Sequence, residues 1–246
     1  MKKYLFVFFF LFSTSLFPQE EWKVVKDQTL LTVTNLQGWC SKEKAELIME
    51  VIKKNKCQIC VEIGVFAGAS LFPIAKTLQY NGSGIVYGID AWRAEESVKG
   101  FITSDKHYLW WNKLDYNCFY KQALDLVIKH HFQSLCQIIR LSSQEAVSLF
   151  PEDCIDFIHF DGNISEEGAF RDVVTYLPKV KEGGYILLNN ADGSTLAQTV
   201  AYLLERTELI SPPKNAPFLL FQKNKEKWKQ STLLFVPKSN TSQSEL

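Results

Sequence analysis

Val61-Glu62-Ile63-Gly64-Val65-Phe66-Ala67-Gly68-Ala69-Ser70 is an apolar run that breaks at two glycines and then continues with helical spacing. It reads as a buried strand turning into a helix. Gly64 and Gly68 remove side chains at that turn, so the backbone there can approach a ligand closely. The helix beyond presents unpaired N–H groups at its start. A dinucleotide fingerprint requires glycine where Phe66 stands, which disfavours a dehydrogenase-like pyrophosphate site.

Outward from this turn the chain alternates between strand-like and helical segments. Strands are expected at 60–63, 84–89, 137–141, 155–160 and 185–188, and helices at about 42–54, 70–80, 108–131, 143–150, 166–179 and 194–208. That alternation is the signature of a parallel sheet covered on both faces. Pro212 and Pro213 then break the chain before two apolar runs, 218–222 and 232–236, joined by a polar stretch and read as a closing hairpin. Residues 92–106 show no periodicity, and an unpatterned connection of that length suggests a lid or binding loop. The domain is expected over 40–236, with a polar, frayed tail at 237–246.

The 246 residues, 46% of them hydrophobic, are enough for one sizeable core. Lys and Arg number 27 against 27 Asp and Glu, and this balance carries no nucleic-acid footprint. Residues 1–17 read as a signal peptide: Lys2 and Lys3 precede an apolar run from Tyr4, and Ser13, Thr14 and Ser15 are small residues near a cleavage point. Removing those two lysines leaves 25 basic residues against 27 acidic ones. The expectation is export to the periplasm or beyond. Leu16, Phe17 and Pro18 flank a cleavage site poorly, so the alternative is an uncleaved anchor, which would be the chain's membrane contact. Cys60, Cys136 and Cys154 fall near strand starts and read as core residues. The Cys57/Cys60 pair precedes a strand instead of opening a helix and lacks a second pair for zinc.

The second strand ends at Gly88-Ile89-Asp90, which places a carboxylate at a strand's C-terminal edge. There it reads as an acceptor for both hydroxyl protons of a ribose, or as a turn-capping aspartate. With Glu62-Ile63-Gly64-Val65-Phe66, Gly68 and Ser70, the segment Tyr87-Gly88-Ile89-Asp90-Ala91-Trp92 resembles class I S-adenosylmethionine-dependent methyltransferases. The likeness is to the bacterial macrocin and cephalosporin-tailoring type, over about residues 40–210.

The resemblance implies a Rossmann-like α/β fold with a mainly parallel seven-stranded sheet, a C-terminal antiparallel hairpin and helices on both faces. It implies S-adenosylmethionine as cofactor, with Glu62, Gly64 and Gly68 at its methionine end and Asp90 at its ribose. Val65, Ser70 and Ala91 complete that set, and Ser143-Gln144 is similar to the adenine-contacting Ser-Gln of catechol-type O-methyltransferases. Asp161, in Phe160-Asp161-Gly162-Asn163-Ile164-Ser165-Glu166, falls where the family places a metal-binding or catalytic acid.

Two departures weaken that end of the site. Ile164 stands in place of the usual histidine, which removes a natural general base. Asn189 and Asn190 stand where two acids commonly follow the fifth strand, so Asp161, Asn189 and Asn190 are expected to hold Mg2+ weakly. His159 reads as a hydrogen-bonded core histidine, and His130 and His131 as favouring a helix C-terminus. His107 adjoins Tyr108, Trp110 and Trp111, rings read as core or lid packing or as the lining of an acceptor pocket. The expected activity is methyl transfer to a small-molecule hydroxyl. The alternative is a catalytically degenerate binding or interaction protein. Export stands in tension with catalysis, because the cofactor is made in the cytosol.

Overall fold

The computed structural model describes residues 17–191, 194–210 and 216–228. Among the described residues seven strands form one sheet: β1 (Ile59–Ile63), β2 (Ile85–Ile89), β3 (Cys136–Ile139), β4 (Ile155–Phe160), β5 (Val180–Asn189), β6 (Thr207–Ile210) and β7 (Phe218–Lys223), in the order β3-β2-β1-β4-β5-β7-β6. The first five run parallel, and β7 lies antiparallel to both β5 and β6. This is the expected α/β architecture, antiparallel C-terminal hairpin included. Strand order reverses between β1 and β4, which opens a crevice at their C-terminal ends.

Nine α-helices cover the sheet among the described residues: α1 (Phe17–Val33), α2 (Lys42–Asn55), α3 (Leu71–Asn81), α4 (Ala94–Ser97), α5 (Lys106–Trp111), α6 (Tyr116–Lys129), α7 (Ser143–Ala146), α8 (Glu166–Tyr176) and α9 (Ala197–Arg206). On one face Ile48 and Ile52 of α2, Leu71 and Leu78 of α3 and Ala123 of α6 pack on Cys60, Val86 and Phe157. On the other, Val173 and Tyr176 of α8 and Leu203 of α9 pack on Ile158, Ile186 and Phe221. The central strands are therefore buried on both sides, which is why they read as continuous apolar runs.

Several boundaries differ from the sequence reading. The packed unit begins before residue 40: α1 buries Trp22 and Val33, and the Trp22 indole donates to Glu50. The helix expected over 108–131 is two, because Asp115 accepts a hydrogen bond from the Cys118 N–H and starts α6 afresh. The helix expected over 194–208 stops at Arg206, and Thr207–Ile210 pairs with β7. The hairpin is therefore β6 with β7, since pairing with a neighbouring strand overrides local propensity there. The outer strand expected at 232–236 lies outside the described residues, as do the tail at 237–246 and all but the last residue of the expected leader. The 92–106 connection carries the short helix α4. All six cysteines are free thiols. Among the described residues no helix is long and apolar enough to cross a membrane.

Candidate active site

A cavity of about 710 Å³ opens over the C-terminal ends of β1, β2 and β4. At its centre the turn after β1 meets the turn after β4. Gly64 has φ +88°, and a β-carbon there would lie 2.3 Å from the Asp161 carbonyl oxygen. Glycine at this position thus serves the contact between two turns of the protein's own backbone. The Asp161 N–H donates to the Ile63 carbonyl (2.8 Å) and the Gly64 N–H to the Ile89 carbonyl (2.8 Å), so three strand ends are tied together.

Asp90 organises the adjoining wall. Its Oδ2 accepts from the Val65 N–H (3.0 Å) and the Phe66 N–H (2.9 Å), and its Oδ1 accepts from the Trp92 N–H (2.7 Å). These bonds hold Phe66 (φ 53°) and Trp92 (φ 44°) in the left-handed region, with the Trp92 indole closing onto the Phe66 carbonyl at 2.8 Å. A third residue in that region, Asn190 (φ 54°), also lines the cavity. Such conformations persist only where surrounding structure imposes them, and all three lie around one cavity. Burial pushes the Asp90 carboxyl above its usual range, against the pull of the three N–H donors.

At the opposite end, Asp161 and Asn189 meet a residue that the sequence reading overlooked. Lys44, in the first turn of α2, places its Nζ 2.9 Å from Asp161 Oδ2 and 3.2 Å from Asn189 Oδ1. The Asn189 amide donates to Asp161 Oδ1. Both carboxylate oxygens are therefore engaged, and an ammonium fills the space between Asp161 and Asn189, two of the three side chains expected to hold Mg2+. The set does not fit a divalent cation, because a fixed positive charge stands where the ion would sit. Among the described residues no group of three His, Cys, Asp or Glu side chains is arranged to hold a metal. The expected weak Mg2+ site of Asp161, Asn189 and Asn190 therefore gains no support from this arrangement.

A family model described as a methyltransferase domain matches residues 61–191, from β1 through the end of β5. The chain belongs to this methyltransferase domain family. No curated protein sequence matches it. Among solved structures it resembles the O-methyltransferase NovP (14% identity, TM-score 0.63, covering 85% of this chain and 100% of that one). It also resembles a Podospora anserina methyltransferase bound to SAH (12%, 0.59, 81% and 88%). A Bacillus cereus O-methyltransferase in complex with SAH is similar as well (16%, 0.53, 88% and 94%). At these identities the likeness is one of fold.

The methyltransferase domain brings most of the sequence-derived residues to the cavity: Gly64, Val65, Ser70, Asp90, Ala91, Ser143, Asp161, Asn189 and Asn190 all line it. Glu62, Gly68 and Gln144 are not among the lining residues. Glu62 is fully buried one layer below, where burial pushes its carboxyl up to about 8 and the Ser70 hydroxyl donates to it. Ser143 and Gln144 both turn their side chains to Asp172 of α8. The ribose expectation for Asp90 narrows too. A carboxylate has about four lone-pair directions and three already accept backbone N–H groups, so one hydroxyl proton is the most it can take.

His159 is a core histidine, as expected, but it is not hydrogen-bonded. Both ring nitrogens lack a partner among the described residues, with Nδ1 3.6 Å from Glu62 and Nε2 3.7 Å from Asp161. Burial depresses it to about 3, so it is neutral near pH 7. His130 caps α6, as its position suggested. His107, Trp110 and Trp111 line the cavity mouth with Trp39 and Phe66, and Trp39 packs against the other three aromatics at 5.2–5.9 Å between ring centroids. Trp39 and Trp110 remain 58% and 44% exposed, which leaves ring faces open to a ligand. Lys44, Trp39 and Asp172 were missed because a lysine in a first helical turn, a tryptophan in a short loop and an aspartate on a helix each read as surface residues. No motif marks them.

Proposed function

We propose that this methyltransferase domain uses S-adenosylmethionine to methylate a hydroxyl of a small-molecule acceptor. The observation that carries the reading is the convergence of the 64–70 turn, Asp90 and Asp161 on one cavity of about 710 Å³. A volume of that order suits a cofactor with a small acceptor. Two fold neighbours crystallised with SAH support the cofactor, and neighbours described as O-methyltransferases support an oxygen acceptor. The motifs around Gly64 and Asp90 keep the macrocin and cephalosporin-tailoring type as the finer assignment.

Bound S-adenosylmethionine would be held by the 64–70 turn and Asp90 and would supply a methyl group on a sulfonium sulfur, which is a good leaving group, while Asp161 would receive the acceptor's hydroxyl proton. In this reading the Asp161 carboxylate accepts the hydroxyl's hydrogen bond and aims its oxygen. Asn189 and Lys44 fix the carboxylate from behind. Ile164, Trp39 and Trp110 add apolar surface to the cavity against which an acceptor would pack. Positioning reactants in this way supplies much of the rate in a displacement reaction.

Calorimetric titration with S-adenosylmethionine, followed by transfer of labelled methyl to a panel of small hydroxyl compounds, tests the proposal. Binding and transfer are expected, with Asp161→Asn losing transfer while keeping the cofactor. No binding at millimolar S-adenosylmethionine overturns it. Export by the 1–17 leader, cleaved or retained as an anchor, is proposed alongside and is read by N-terminal sequencing of the mature chain.

A further inference from the structure

We propose that Lys44 is this protein's built-in substitute for a divalent cation, a tethered monocation that organises Asp161 and Asn189 and keeps metal ions out of the acceptor end. The inference rests on the methyl-transfer reading only in calling that end the acceptor's.

The placement of Lys44 is costly on two counts. It is 1% exposed, and an ammonium taken out of water loses its hydration. It also sits in the first turn of α2, where the helix dipole disfavours positive charge. Ser41 caps that helix by accepting from the Lys44 N–H at 3.2 Å, which fixes the turn that carries the side chain inward. An apolar residue would fill the same volume without these penalties. What compensates the charge is specific: one carboxylate and one amide oxygen, both on side chains that line the cavity, contributed by the ends of β4 and β5.

Around this centre lie groups that a dication would also attract. His159 Nε2 faces Asp161 at 3.7 Å without a hydrogen-bond partner, and Glu62 lies beyond it. Lys44 supplies a single charge with directional N–H donors to this surrounding. It leaves no vacant coordination position between Asp161 and Asn189. Lys44 itself does not line the cavity, so it is a positioning residue that acts on an acceptor through those two side chains.

The test reads metal binding and requires no turnover. Mn2+ binding to the full chain is followed by electron paramagnetic resonance for the wild type, Asn189→Asp, and Lys44→Met combined with Asn189→Asp, each with and without Asp161→Ala. The Met variant preserves the aliphatic stem, and Lys44→Ala serves as a second version; circular dichroism checks the fold of each. The wild type and Asn189→Asp are expected to show no Asp161-dependent Mn2+ at millimolar ion. The double variant is expected to gain an Asp161-dependent site at least about tenfold tighter than Asn189→Asp alone, because the fixed charge is gone. Asp161-dependent binding in the wild type, equal binding by Asn189→Asp and the double variant, or no gain in either folded double variant each overturns the proposal. Failure to bind S-adenosylmethionine would leave these readings unchanged, so the two proposals fail separately.

Discussion

The position of a β-carbon on Gly64 would lie 2.3 Å from the Asp161 carbonyl oxygen, so the turn after β1 and the turn after β4 touch through their backbones. Gly64→Ala is expected to force these turns apart and to strain a φ of +88° as well. Overpacking and left-handed strain together cost about 2–5 kcal/mol. Denaturant unfolding should show a loss of that order, with cofactor binding weakened at temperatures where the variant remains folded.

Asp90 is expected to matter even without ligand. Replacing it with Asn leaves one oxygen where two accept N–H groups from Val65, Phe66 and Trp92. A buried donor left unpaired costs about 1–3 kcal/mol. The free protein should therefore lose stability in urea titration, and S-adenosylmethionine should restore less stability to it than to the wild type.

Stability should fall toward both acid and alkaline pH, with a different residue responsible on each side. His159 is depressed to about 3 from an ordinary value near 6.5, so the unfolded chain binds the proton more readily and stability is lost as pH falls from 6.5 toward 3. Glu62 is raised to about 8, so the folded chain keeps its proton longer and stability is lost as pH rises from about 4.5 to 8. Melting temperatures against pH should show a flatter acid limb for His159→Gln and a flatter alkaline limb for Glu62→Gln.

Four of the six tryptophans, Trp39, Trp92, Trp110 and Trp111, line the cavity, so ligand entry should alter intrinsic fluorescence. Titration with S-adenosylmethionine is expected to shift or quench the emission. Trp39→Phe and Trp110→Phe should each reduce the change while altering stability by less than about 0.5 kcal/mol, because both rings are about half exposed and phenylalanine keeps an aromatic ring there.

The sheet was legible because its central strands are buried on both faces: Val61, Ile63, Ile158 and Phe160 announce themselves without help from distant sequence. Gly64, Asp90 and Asp161 were legible because each ends a strand, and such ends converge in this architecture. Lys44 was not, since its role depends on a hydrogen bond to a residue 117 positions away. Asp172 was hidden in the same way, its partners being Ser143 and Gln144 on another helix. Thr207–Ile210 was lost to helical spacing because only its pairing with β7 makes it a strand.

Lys44 lies outside residues 61–191, the stretch that carries the family's likeness, while Asp161 and Asn189 lie within it. The two ends of the cavity thus have different chain origins: the turns after the strands form one, and a helix laid on from the N-terminal side charges the other. A substitution at position 44 would change the charge beside Asp161 and Asn189 while leaving the three N–H bonds to Asp90 intact. One helical side chain, outside the turns that follow the strands, thus sets the electrostatics of that end, and it can change without rebuilding the sheet.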